Sequence, residues 1–289
     1  MRRAVLVGLI GANIQKSLSP ALFEDACAVS GLAGHYHLMD LDRLPGRGLP
    51  DLLAAACTAG FAGVNVTFPC KEAVLPLLDE VSPEAREIGA VNTVTIGSDG
   101  RTTGHNTDRS GFRCSAEETI GAARIRGETA VLVGAGGAGR AVAFALFDLG
   151  LRRLLVADRD RSQAEGLTAA VGRQRCEIVS DAAAALAGAA GMVNATPVGM
   201  SGFPGLPVPP EAFSRRHWLA DVIYTPLETE LVLAARARGA EAVGGAGMCV
   251  HQAAESFRHF TGRTADIDRL KKTFAAAAAR RETALAAAD

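Results

Sequence analysis

The 289-residue sequence lacks any marked excess of charge of one sign, with 30 lysines and arginines against 31 aspartates and glutamates. That removes the basic field on which nucleic-acid or anionic-membrane binding relies. An acidic small molecule would therefore have to be met by a local anion site. The sequence also lacks paired cysteines. Cys27, Cys57, Cys70, Cys114, Cys176 and Cys249 include no C-x-x-C and no zinc-type spacing. The spacings suggest no disulfide framework, and scattered thiols in a chain of this size point to a reducing compartment. No apolar run reaches the ~20 residues needed to span a bilayer. Met1-Arg2-Arg3 followed by AVLVGLIGA has the outline of a secretory leader, but it runs straight into Asn13-Ile14-Gln15-Lys16 without a cleavage region. A buried first strand is expected instead, and a cytoplasmic protein. There is no repeat of solenoid period. His35-x-His37 has no cysteine or acidic partner at metal spacing, so no metal is expected.

What is present is the composition of an ordinary globular chain, 48% hydrophobic and 21% charged, at a length that suggests two domains. Short apolar runs alternate with helix-like stretches. Strands are expected at Val5–Ile10, His35–Leu41 and Gly63–Thr67, with extended chain at Ala90–Ile96. Helices are expected at Pro20–Ser30, with Ser19 as N-cap, at Asp51–Ala59 and at Lys71–Leu78, the last limited by Pro76. This alternation implies a mostly parallel sheet with helices on its faces. A second unit begins near Glu128. There Thr129–Val133, the helix-like Ala141–Leu149 and Leu154–Ala157 make a βαβ unit, and further strands are expected at Gly191–Asn194, Trp218–Ile223 and Glu241–Val243. From Met248 the pattern is long and helical.

Gly134, Gly136 and Gly139 form G-x-G-x-x-G between a strand and a helix. The first glycine permits the turn, the second a close approach of a pyrophosphate, and the third close helix packing. Helix N–H groups then face the phosphates. Asp158 ends the next strand about 20 residues on, where a carboxylate accepts hydrogen bonds from the adenosine ribose of NAD. Arg159 beside it is suited to a 2′-phosphate or to the adenine, so NAD is the first choice and NADP the alternative. The chemistry-bearing residues of the first half are individually ambiguous. Lys71 follows a strand and is either an acid/base or a surface lysine. Asp108 is either a reactive carboxylate or a helix cap. The hydroxyls of Ser17-Leu18-Ser19-Pro20 either bind a carboxylate or cap a helix.

Taken together, SLSP, NVTFPCK, GAVNT, HNTD, GAGGAGR, NATPVGM and GMCVHQAAESF, in this order and approximate spacing, resemble shikimate dehydrogenases from Gly8 to about Gly262. The resemblance implies an α/β fold of two domains. An N-terminal α/β substrate domain spans 1–109 and is completed by returning C-terminal helices at 248–289. A Rossmann NAD(P)-binding domain spans 110–247. It implies that Ser17 and Ser19 hold the substrate carboxylate and that Lys71 and Asp108 are the catalytic dyad. Asn65, Thr67, Asn92 and Gln252 would bind ring hydroxyls, and Tyr224 would line the same cleft. Cofactor contacts would be Gly134, Ala135, Gly136, Gly137, Ala138, Gly139, Asp158, Arg159, Thr196, Val222 and Gly245. The implied partner is a small hydroxy acid, with neither nucleic acid nor membrane, bound to a monomer or homodimer.

The departures sharpen this expectation. Members of the family that prefer NADP resemble N-R-T after the second Rossmann strand, where this chain has Asp158-Arg159-Asp160. That acidic residue, with HNTDRSGF and the stretch from Trp218 to Glu230, looks like the quinate/shikimate branch that favours NAD. Ser19, by contrast, is the serine of shikimate-specific members, where some quinate users carry threonine. The competing readings are an aminoshikimate or methylenetetrahydrofolate dehydrogenase, a non-catalytic dinucleotide sensor, or a vestigial Rossmann scaffold. The serine pair argues against the folate enzyme. Lys71 with Asp108 argues against the sensor, and the intact glycine motif against the scaffold.

Overall fold

Aliphatic and β-branched runs of four to eight residues are long enough for a strand and too short for a stable helix, and the computed structural model, which describes residues 3–286, places twelve strands among them, nine of four to eight residues and three shorter. They fall into two six-stranded sheets, one in each of two compact units. The first unit is Met1–Thr107 with Val250–Asp289 and the second is Asp108–Cys249.

In the first unit the chain runs β1 (Ala4–Gly11), α1 (Ser19–Val29), β2 (Ala33–Asp40), α2 (Leu49–Thr58), β3 (Gly63–Val66), β4 (Glu80–Val81), α3 (Pro83–Ile88), β5 (Thr93–Ile96) and β6 (Thr102–His105). The sheet order is β2-β1-β3-β5-β6-β4. β1 pairs in parallel with β2 and β3, whereas β5 lies antiparallel to both β3 and β6. The sheet is therefore mixed but mostly parallel, as alternation predicts: β5 alone runs against the other five strands, because it is joined to β6 by a short turn where a parallel pair would need a crossover. The expected helix at Lys71–Leu78 is a series of turns and a 3₁₀ segment at Leu75–Leu77, since Pro76 removes a helical donor. Ser19 is the first residue of α1 and not its cap. The cap position is Leu18, and the Ser17 hydroxyl accepts from the Ser19 N–H at 3.3 Å. Ile10, Val64, Val66 and Val94 pack with Leu49, Leu52 and Leu53 of α2 into one core.

The second unit runs α4 (Asp108–Thr119), β7 (Thr129–Val133), α5 (Gly137–Asp148), β8 (Arg153–Ala157), α6 (Arg161–Val171), β9 (Cys176–Ile178), α7 (Ala182–Leu186), β10 (Gly191–Asn194), β11 (Trp218–Asp221), α8 (Glu230–Ala237) and β12 (Glu241–Val243). Its sheet is wholly parallel in the order β12-β11-β10-β7-β8-β9. The period of two along each strand divides its core. Ala130, Leu132, Val193 and Trp218 join one cluster with Val142 and Leu146 of α5. Val131, Met192 and Leu219 join the other with Leu186, Leu231 and Val232. A bidentate ion pair from Arg109 to Asp148, at 2.7 and 2.6 Å, fastens the start of α4 to the end of α5.

Two C-terminal helices follow, α9 (Ala246–Thr261) and α10 (Ile267–Ala286). Phe257 and Phe260 of α9 meet Phe23 of α1 edge-on, and Arg269 of α10 pairs with Asp25 of α1 at 2.7 Å. No helix among the described residues is long and apolar enough to cross a membrane.

On the first sheet His105 stacks on His259 of α9, ring centroids 4.0 Å apart. Burial, then the charges of His259 and Arg258, lower His105 to about 4, although Glu255 opposes them. The same burial lowers His259. Both rings are thus neutral in the fold, while the unfolded chain takes up protons as pH falls below about 6.5. Stability is full above that value and is lost as pH falls from about 6.5 toward 4. Glu255, held low by Arg258, adds its own loss only at more acid pH. The melting temperature of His105→Gln should therefore fall less steeply than that of the native chain between pH 6.5 and 4.5. Parallel curves over that window would remove the histidine from the account.

Candidate active site

The topology of the first sheet gathers polar residues at one end. β1 and β3 run in parallel, so Ser17 and Ser19 after β1 and Thr67 and Lys71 after β3 leave the sheet at the same edge. β5 is antiparallel to β3, so Asn92 enters β5 at that edge. β6 is antiparallel to β5, so Asn106 and Thr107 leave there too. The Ala12 N–H donates to the Phe68 carbonyl at 2.9 Å, tying the two strand exits together. The Val91 N–H donates to the Lys71 carbonyl at 2.8 Å, which holds the lysine backbone beside Asn92.

Beneath this edge lies a buried polar network. The Asn65 amide Nδ2 is within 3.0–3.1 Å of the Asn92 carbonyl, Thr93 Oγ1 and Ser256 Oγ, and its Oδ1 accepts from the Tyr36 hydroxyl at 2.9 Å. Asn92 accepts from the Thr107 N–H at 2.8 Å and donates one of its two Nδ2 protons to Thr107 Oγ1 at 2.9 Å. Ser256 is on α9, one turn after Gln252, so the two share a helix face. The first unit thus brings together Asn65, Thr67, Lys71, Asn92 and Gln252 at one end of its sheet. Ser17 and Ser19 are half-buried at the start of α1, where Asp40 steadies the preceding loop by accepting from the Ile14 N–H and Gln15 Nε2. Asp108 and Tyr224 belong to the second unit. Asp108 is buried as the first residue of α4, and Tyr224 is half-buried on the loop after β11.

In the second unit the residues expected to hold a dinucleotide all follow the carboxyl ends of parallel strands. Gly134 follows β7, Asp158 β8, Thr196 β10, Val222 β11 and Gly245 β12. The chain reverses its direction of strand addition between β7 and β10, which is where open parallel sheets bind ligands. Gly134 has φ +99°, which favours glycine. A Cβ on Gly139 would sit 2.0 Å from the Gly134 carbonyl oxygen, so α5 packs directly on the loop. A Cβ on Gly136 would meet nothing, and the N-terminus of α5 carries no side-chain cap. Open space in front of uncapped N–H groups fits a pyrophosphate. Gly245 packs on the Val222 carbonyl, which leaves no room for a side chain.

The Asp158 carboxylate accepts from the Ala135 N–H at 2.7 Å and from the Asp160 N–H at 2.8 Å, one bond per oxygen. It therefore braces the glycine loop while each oxygen keeps a further lone pair. Arg161 is occupied by Glu165 at 2.8 Å, and Asp160 caps α6 through Ser162. Arg159 is exposed and has no hydrogen bond or ion pair among the described residues.

Sequence reasoning missed several residues. Tyr36, Thr93, Thr107 and Ser256 complete the network in the first unit, and nothing in their local context announces it. Asp221 and Thr229 were missed in the second. Burial raises Asp221 to about 6, against the pull of its hydrogen bonds from Thr229, Ile223 and Asn194. Thr229 had a readable signal as an N-cap before an apolar helical run.

Comparison with known proteins fixes the lineage. Residues 9–94 match the shikimate dehydrogenase substrate binding domain, and residues 245–273 match the shikimate 5'-dehydrogenase C-terminal domain. The quinate/shikimate dehydrogenase (NAD(+)) of Corynebacterium efficiens is 45% identical over 279 residues, covering 94% of this chain and 98% of its own. The chain belongs to the shikimate dehydrogenase family. Within the family, the shikimate dehydrogenase (NADP(+)) of Streptomyces avermitilis is 46% identical over 274 residues, 92% of this chain and 93% of its own. The structure of quinate dehydrogenase from Corynebacterium glutamicum in complex with NAD superposes with a TM-score of 0.87 at 44% identity, covering 95% of this chain and all of that one. The first family match spans Ser17, Ser19, Asn65, Thr67, Lys71 and Asn92, and the second spans Gly245 and Gln252.

The two glycines separate binding from folding. Gly136→Ala should leave the melting temperature within about 1 °C, since its methyl enters open space, yet weaken dinucleotide binding about tenfold or more by occupying the phosphate's place. Gly139→Ala should lower the melting temperature by several degrees, because overpacking against backbone costs ~1–3 kcal/mol. Calorimetric titration and thermal melts of both variants decide the matter. An unaltered affinity in Gly136→Ala would place the phosphates elsewhere.

Proposed function

We propose that this protein catalyses the reversible oxidation of the ring secondary alcohol of shikimate, with quinate as a further substrate, to the 3-dehydro ketone. The cofactor is NAD, with NADP as the weaker alternative. The observation that carries this reading is the polar end of the first sheet, where Lys71 and the Asn65–Asn92 network lie together in a chain of this family. We assign 1–109 with 248–289 to substrate and 110–247 to cofactor. The six described cysteines are all unpaired, which suits a cytoplasmic enzyme. It would act as a monomer or homodimer.

The hydroxyls of Ser17 and Ser19 would donate to the substrate carboxylate. Thr67, Asn92 and Gln252 would hold the ring hydroxyls, Asn92 with its remaining amide proton. Asn65 spends its amide within the network and would contribute mainly by fixing Asn92 and Ser256. Tyr224 would pack against the substrate. Lys71 would take the hydroxyl proton during oxidation and return it to the ketone oxygen during reduction. Asp108 would orient the substrate.

NAD, when bound, supplies the hydride acceptor. The Gly134–Gly139 loop, including Ala135, Gly137 and Ala138, would hold its pyrophosphate. Thr196, Val222 and Gly245 would hold its other end. Asp158 would accept from the ribose hydroxyls, and its charge would oppose a 2′-phosphate. Arg159 is the one cation beside it with no partner among the described residues, and it supports residual use of NADP.

Lys71→Ala should lower kcat by about 10²–10⁴-fold while the dissociation constant for NAD stays within about twofold. Native-like turnover in that variant would take Lys71 out of the mechanism. Asp158→Asn should raise the ratio of kcat/KM with NADP to that with NAD by about tenfold, which corresponds to ~1.4 kcal/mol. Both cofactors are measured at one ionic strength, because screening alters the comparison. A native enzyme that strongly prefers NADP would overturn the NAD assignment.

A further inference from the structure

Asp221, at the carboxyl end of β11, is 3% exposed. Three donors converge on its carboxylate. Asn194 Nδ2 and the Ile223 N–H donate to Oδ1, each at 3.1 Å, and the Thr229 hydroxyl donates to Oδ2 at 2.7 Å. Each donor belongs to a different loop feature. Asn194 ends β10 and leads to Thr196, Ile223 opens the loop that carries Tyr224, and Thr229 caps α8.

The polarity of these bonds has a direction. Asn194 is fully buried and its amide is saturated. Its Nδ2 donates to Asp221 and to the Val198 carbonyl at 3.2 Å, and its Oδ1 accepts from the Thr196 N–H at 3.1 Å and the Thr196 hydroxyl at 2.7 Å. The acceptor at position 221, together with the Val198 carbonyl and the Thr196 N–H, turns the amide this way. Reversed, Asn194 would aim its NH₂ at the Thr196 N–H, two donors face to face. Thr196 has thereby spent its only hydroxyl proton on Asn194. Its oxygen also accepts from the Val198 N–H at 3.1 Å, which leaves one lone pair.

We propose that Asp221 is a positioning residue for the cofactor: through Asn194 it fixes the Thr196 hydroxyl as an acceptor, so that this loop receives an N–H or O–H group of the dinucleotide. The inference rests on the dehydrogenase reading above, and deepens it by assigning the direction of one contact. It also accounts for a carboxylate kept almost fully buried among three donors. A hydrophobic residue here would remove one of the partners that hold Asn194 and leave three buried donors unsatisfied.

The test is calorimetric titration of NAD⁺ alone into the full-length chain, with circular dichroism confirming that each variant is folded. Asp221→Ala should weaken NAD⁺ binding about tenfold. Asp221→Asn should bind within about threefold of the native chain, because its amide oxygen still accepts from Asn194 and its NH₂ can donate to Thr229. Thr196→Val should lose about tenfold and Thr196→Ser almost nothing. The double variant Asp221→Ala/Thr196→Val should lose no more than the weaker-binding single variant, since both break one chain of bonds. A folded Asp221→Ala that binds NAD⁺ like the native chain overturns the proposal, as does equal loss in Asp221→Ala and Asp221→Asn. Should Asp221→Ala fail to fold, the Thr196 pair decides alone, and native-like affinity in Thr196→Val overturns it. A native chain that binds neither NAD⁺ nor NADP⁺ overturns the dehydrogenase reading itself, whereas native binding with insensitive variants overturns this inference only.

Discussion

Ser256 joins α9 to Asn65, Thr93 and Thr107 through hydrogen bonds of 3.1, 2.9 and 3.1 Å. Much of the first unit's polar end depends on that junction. Buried amides and hydroxyls cost free energy unless they are paired, and a half-satisfied network is worse than an apolar one. Here Tyr36 closes the chain at one side and Asn92 at the other. The result is a rigid polar floor under the strand exits that carry Thr67 and Lys71. Side chains meant to recognise several hydroxyls must not reorient when the ligand arrives, and a saturated network underneath is the physical means of preventing it.

The second unit meets the same requirement with charge. Two carboxylates at the carboxyl ends of β8 and β11 do comparable jobs. Asp158 braces the glycine loop through the Ala135 N–H, and Asp221 braces the loops after β10 and β11. Parallel strands finish side by side with backbone groups that no hairpin satisfies, so acidic residues there find donors readily. The costs differ. Asp158 is half-buried and exposed enough to remain hydrated, while Asp221 is almost fully enclosed and is pushed up to about 6. Three donors keep it in place despite that burial.

How much of this was legible in the sequence followed from the range of the interactions involved. Thr129–Val133 and Gly191–Asn194 were readable end to end, because a strand buried in the middle of a parallel sheet is a nearly continuous apolar run bounded by polar residues or glycine. The glycine loop was readable because its chemistry is local. Short polar strands were not. Thr102–His105 has no apolar alternation, and it becomes a strand only because β5 offers it a partner. The helix expected at Lys71–Leu78 failed for a local reason that Pro76 had already signalled, whereas the failure of Ser19 as a cap depended on one residue of register. Ser256 and Asp221 could not have been found locally, since their roles consist of contacts with residues far along the chain. The family resemblance reached the lysine, the serines and Gln252, yet the supporting shell beneath them became visible only in three dimensions.

The division of the chain also has a consequence for its synthesis. The second unit is one continuous stretch, Asp108–Cys249, whereas the first is assembled from both ends. Asn65 and its partner Ser256 are 191 residues apart. At about 5–20 residues per second, the serine follows the asparagine out of the ribosome on the order of 10–40 s later. During that interval the first sheet, whose six strands all lie before Asn106, has no α9 or α10 to cover Phe23, while the second unit can complete its own core. The part of the molecule that starts first therefore finishes last, and the nascent chain passes through a stage in which the second unit can close its core while the first still lacks its covering helices.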